Sequence, residues 1–166
     1  MADTNPARAI DVVKRVVEMC DFIENEHIQE TVMTKMVPVS MPPDVNSVVK
    51  ISVWTGLGMV GLWAALDAFN ERAGLTGPFP TRLRCQGNEE QSLKELDDIR
   101  HLYAHNSAGE ADDKYFDGRH SRYVLQRDVP TTLSCGAQFD GLRLSLNLRH
   151  LRWYAHTVQT VLKRFS

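Results

Sequence analysis

From Pro6 to about Met36 the apolar residues Ile10, Val13, Val16, Val17, Cys20 and Ile23 recur at helical spacing, with Lys14, Arg15, Asp21 and Glu24 turned elsewhere. "VPVSMPPD" (37–44) stops that helix, because proline cannot continue it and constrains the residue before it. A second helix is expected from Asn46 or Ser47, both good caps, to about Arg72, closed by Gly74 and Gly77-Pro78. A third fits Glu89 to about His105, with Asn88 as cap and Gln91 completing a capping box. Its buried stripe is Leu93, Leu96, Ile99 and either Leu102 or Tyr103. "NSAGEADDKYFDGRHS" (106–121) reads as a loop. The period then changes to two, with leucines at 142, 144, 146 and 148 alternating with polar residues. "YVLQRDVPTTLSC" is the expected partner strand and "GAQFDG" the turn. A last helix runs from roughly Leu148 to Phe165, with Leu151, Ala155, Val158, Leu162 and Phe165 on one face. The pattern predicts a mainly α protein: one domain over residues 1–166, a bundle of about four long helices with a small β-hairpin before the last.

Composition agrees with that picture. A chain of 166 residues, 43% apolar and 24% charged, can bury a core and shows neither low complexity nor repeats. The first residues lack the basic-then-apolar layout of a signal peptide. The apolar run 53–66 is shorter than the ~20 residues of a membrane span. Cys20, Cys85 and Cys135 are odd in number and far apart, which points to reduced thiols and a cytoplasmic protein. The net charge of −2 divides unevenly, −8 over residues 1–118 and +6 over 119–166. Either the basic part attracts a polyanion or acidic partner, or the two parts attract each other. Trp54, Trp63 and Trp153 are expected in the core.

"GLGMVG" (56–61) matches the glycine fingerprint of dinucleotide-binding folds letter for letter. That fingerprint requires a second buried strand ending in an acid about 20 residues on, and "GLTGPFPTRLRCQ" is no such strand. The glycines instead thin one face of a helix for close approach by another helix, a homodimer contact being one candidate. Each costs up to ~1 kcal/mol relative to alanine, so close packing must compensate.

The concentration of chemistry is "DDIRHLYAHN" (97–106). His101 and His105 share a helix face with Asp97, whereas Arg100 and His105 lie about 140° apart unless the helix ends there. Three readings follow from the residues. The histidine pair with Asp97 could chelate a metal, although no further ligand cluster lies near in sequence. The histidines could serve only the helix C-terminus, and the arginine only surface pairs. Or the guanidinium binds phosphate while a histidine moves a proton.

Arg100-His101-Leu-Tyr-Ala-His105 fits R-x4-H with a polar residue after the arginine, at the end of a helix flanked by others. This resembles the HEPN superfamily, the higher eukaryotes and prokaryotes nucleotide-binding domain. The resemblance implies a HEPN-like helical bundle and a metal-independent endoribonuclease, often the toxin of a toxin–antitoxin or phage-defence system. It implies Arg100 on the phosphate, His105 as general acid or base and His101 as helper, with Asn106, Asp97 and Tyr103 in support. No cofactor or metal is expected. The implied partners are RNA, a second copy completing a composite site, and an antitoxin or nucleotidyltransferase; no membrane is expected. Arg149, Arg152, Lys163 and Arg164 are the candidate RNA-facing set. The alternative is a catalytically silent HEPN-like module that binds RNA, a nucleotide or a partner protein.

Overall fold

The glycines and proline at 74–78 act where the sequence puts them, and the expected stop at 37–44 lies outside the described residues. In a computed structural model, which describes residues 2–35, 45–105, 132–140 and 143–166, four long helices form: α1 (Ala7–Lys35), α2 (Val45–Ala73), α3 (Glu89–His105) and α4 (Leu148–Lys163). Ahead of α1 the Asn5 side chain accepts the Ala7 N–H at 2.9 Å. A single 3-10 turn, Thr81–Leu83, lies between α2 and α3. The fold is mainly α. Helices α2 and α4 each pack against all three others, while α1 and α3 flank them. One apolar core draws on all four, with Val13, Met59, Leu62, Phe69, Leu93, Leu96, Leu151 and Val158 fully enclosed.

Within α2, Ile51–Ala73 is long and apolar enough to cross a membrane, and 44% of its most apolar window is buried inside the protein. Its three glycines do not thin a single face. A Cβ on Gly56 would strike the Tyr103 ring of α3. One on Gly58 would meet Cys20 Sγ at 2.8 Å and Leu151, and one on Gly61 would meet Val16 at 3.0 Å. The glycines thus admit α3, α1 with α4, and α1 again, all contacts within the chain. The helix-propensity cost is offset by letting neighbours approach from different sides.

The segment before α4 keeps the alternation expected of it. Leu144, Leu146 and Leu148 are buried, while Ser145 and Asn147 are exposed. Phe139–Asp140 and Arg143–Leu144 form a two-residue antiparallel ladder, and Thr132 bridges Gln138. Most of the expected partner strand 123–135, namely 123–131, and the loop 106–121 lie outside the described residues. A buried polar knot ties this segment to the bundle: Tyr103 Oη donates to Leu144 O at 2.9 Å and lies 2.9 Å from Ser52 Oγ, which takes the Leu146 N–H at 3.0 Å.

Caps are also redistributed. Asn88 uses its carbonyl, not its side chain, to meet Ser92 N and Oγ. Glu89 instead reaches back to the Gln86 N–H at 2.7 Å and forks with Arg164, the C-cap of α4. That fork is the main reason its carboxyl lies below the ordinary range. The capping box sits at α4, where Asn147 accepts from the His150 N–H and His150 Nδ1 accepts from the Asn147 N–H at 3.2 Å. Burial, then the neighbouring Arg149, lowers the His150 pKa from 6.5. The folded state therefore prefers the neutral ring, and the unfolded chain takes up the proton first as pH falls. This contribution to stability is complete above about 6.5 and is lost as pH falls through the lower folded value. His150→Gln retains an acceptor at that position and should flatten the pH dependence of unfolding between about pH 7 and 5. An unaltered profile, measured by denaturant titration, would remove the cap from the explanation.

The thiols are free. Burial pushes Cys20 and Cys85 up to about 11, so neither is a ready nucleophile at neutral pH.

Candidate functional site

Helix α3 is enclosed on nearly every side, and the acids of "KELDD" (94–98) are part of its interior. Glu95, Asp97 and Asp98 are 4%, 2% and 4% exposed. A run of charge that reads in sequence as a solvated face is thus buried between α2, α4 and the segment before α4. Glu95 is held by Ser134 N and Oγ and by Tyr154 Oη, each at 2.9 Å, with Gln91 Nε2 at 3.4 Å. Burial, then the Glu95 charge, drives the Tyr154 hydroxyl far above its ordinary pKa, so it remains a donor.

Asp97 has a different task. Its Oδ1 accepts from Arg100 Nη2 at 2.6 Å, one helical turn away. The same Nη2 donates to His101 Nε2 at 2.8 Å. An acceptor Nε2 must be unprotonated, which places the ring proton of neutral His101 on Nδ1. The Arg100 guanidinium carbon lies 5.2 Å from the Trp63 ring centroid, across from α2. A buried carboxylate, a ring face and an imidazole therefore fix one arginine.

That arginine is only partly satisfied. Of five N–H donors, both on Nη2 are engaged, while Nε is buried with no acceptor. Among the described residues Nη1 has no acceptor either. The side chain keeps 26% of its surface exposed. Nη1 is thus the donor left for an anion such as a phosphate.

The other expected site residues fall as follows. Helix α3 stays helical through His105, so its backbone does not break before that residue. The His105 side chain and Asn106 lie outside the described residues. Tyr103 is 2% exposed and faces the core, where it fixes the end of α3 through Ser52 and Leu144. Of the candidate RNA-facing set, Arg164 forks onto Glu89 and Arg152 pairs with Asp21 at 2.8 Å. The basic end of the chain thus attracts acids of α1 and α3. Arg149 and Lys163 are exposed. Among the described residues no group of three His, Cys, Asp or Glu is placed to hold a metal.

One aromatic expectation changes: Trp54 is 45% exposed, outside the core. Trp63 and Trp153 are half-buried and pack against the core, and Trp63 also supports Arg100. Sequence reasoning missed that role, because no local pattern pairs Trp63 with Arg100. Comparison with protein-family models, curated proteins and solved structures returns no match.

Proposed function

We propose that this chain is a HEPN-like, metal-independent endoribonuclease. The observation that carries the proposal is Arg100, clamped by buried Asp97 against Trp63, touching His101, and left with unsatisfied donors. RNA brings its own nucleophile. Removal of the 2′-hydroxyl proton lets that oxygen attack the adjacent phosphorus and form a new P–O bond. The bond to the 5′-oxygen breaks, that oxygen takes a proton, and a 2′,3′-cyclic phosphate remains. Arg100 binds the non-bridging oxygens and stabilises their growing charge. His105 moves the proton, with His101 as helper and Asp97 as the residue that positions Arg100.

A base and an acid are both useful, so a second copy facing the first completes the site. Apolar surface suited to such pairing lies on adjacent helices, where Met19 and Phe22 of α1 and Trp54 and Leu57 of α2 are 47%, 66%, 45% and 42% exposed. Phe22→Glu should convert a dimer into a monomer by light scattering. An unchanged mass would exclude this face, and a monomeric wild type would exclude the dimer. The setting proposed is cytoplasmic, with an antitoxin or nucleotidyltransferase as neutralising partner and the short ladder before α4 belonging to a small hairpin.

The rival reading is a silent HEPN-like module binding RNA, a nucleotide or a protein, and the engagement of Arg152 and Arg164 in internal pairs favours it. Incubation with total cellular RNA in EDTA separates the two. Wild type should fragment the RNA, and Arg100→Ala and His105→Ala should not. RNA left equally intact by all three refutes the nuclease.

A further inference from the structure

Arg100 is one end of a longer arrangement. The Trp63 ring beneath it meets Phe79 edge to face, with centroids 4.8 Å apart and planes at 68°. On Phe79 lies a second arginine, Arg82, its guanidinium carbon 5.8 Å from the ring centroid. The order is cation, ring, ring, cation, drawn from α3, α2 and the connection between them, and all four residues are partly exposed. Arg82 belongs to the 3-10 turn, pinned by fully buried Leu83 and by its own N–H to Pro78 O at 3.1 Å.

The two arginines share one electrostatic peculiarity. Each has its Nε buried without an acceptor. Arg82 also has no carboxylate partner among the described residues, unlike Arg15, Arg152 and Arg164. Guanidinium groups held over rings give up water on that side and keep their outward N–H groups for an anion. We propose that Arg82, Phe79, Trp63 and Arg100 form one strip for the backbone of single-stranded RNA, Arg82 taking a phosphate further along the strand from the one at Arg100. For its ligand the proposal rests on the ribonuclease reading. Two cationic positions at a fixed separation fit a polynucleotide better than a single phosphate, and guanidinium planes on aromatics accept bases without sequence preference.

The test uses a short fluorescent single-stranded RNA carrying 2′-O-methyl groups, which has no nucleophile and so reports binding alone. Its anisotropy is followed in EDTA over a salt series with wild type, Arg82→Gln and Arg82→Lys, and ordinary RNA is incubated in parallel. Arg82→Gln should weaken binding about tenfold and reduce the salt slope by about 0.7, the value for one lost phosphate contact on a single strand. Arg82→Lys should keep the slope and recover part of the affinity. If Arg82→Gln binds with the wild-type affinity and slope, or if wild type does not bind, the strip is overturned. Arg82-dependent binding with ordinary RNA left intact upholds the strip and refutes the nuclease.

Discussion

Arg100→Lys should slow RNA cleavage by at least about 10²-fold while the bundle remains folded. Lysine keeps the positive charge beside Asp97, so the buried carboxylate is not stranded. It loses the planar fork, the cation–π contact with Trp63 and the simultaneous contact to Asp97 and His101, and with them the proposed hold on phosphate. The expected loss matches removal of a donor that acts on the charge developing in the transition state. It should appear in kcat, with the thermal midpoint close to wild type. A rate within tenfold of wild type would mean that charge alone suffices, and the geometry built around Arg100 would then lack a catalytic purpose. Arg100→Ala is the less informative variant for mechanism, because it also leaves Asp97 buried without its arginine.

Glu95→Ala should produce the largest loss of stability, about 2 kcal/mol in denaturant unfolding. The carboxylate gathers donors from Ser134 and Tyr154, residues 39 and 59 positions away, and so ties α3, α4 and the segment at 132–135 together. Its removal leaves the enclosed Tyr154 hydroxyl without this acceptor, while the N–H and hydroxyl of exposed Ser134 can turn to water. Tyr154→Phe deletes one of those donors while keeping the ring and should cost about 1 kcal/mol. A Glu95→Ala loss no greater than that of Tyr154→Phe would show that the network has other partners in reserve.

These two residues mark where the sequence was readable and where it was not. The end of the second helix was legible, because glycine at 74 and 77 and proline at 78 act locally, through backbone conformation and a missing N–H group. The alternation of leucines before the last helix was legible too, and appears as buried 144, 146 and 148. The fate of "KELDD" was not legible. Hydrophobic periodicity assigns carboxylates to solvent, and what buries Glu95 is hydrogen bonding to a distant serine and tyrosine. A sharper reading would have noticed that Glu95, Asp98 and Leu102 follow the spacing of a second buried stripe. Asp97 was expected only in a supporting role, and neither its direct pairing with Arg100 nor its depth was legible. The glycines of "GLGMVG" were correctly read as places of close approach. That they serve several neighbours follows from α2 lying against three helices, which no local pattern encodes. The Trp63 support and Arg82 lie on elements whose juxtaposition only the fold supplies.

The chemistry itself leaves a readable trace in the ends of the product. Wild-type protein, a defined single-stranded RNA and EDTA should yield fragments ending in a 2′,3′-cyclic phosphate, identified by mass, and neither Arg100→Lys nor His105→Ala should accumulate them at a comparable rate. Fragments ending in a 3′-hydroxyl, or cyclic ends formed equally by the variants, would contradict attack by the 2′-hydroxyl at this arginine.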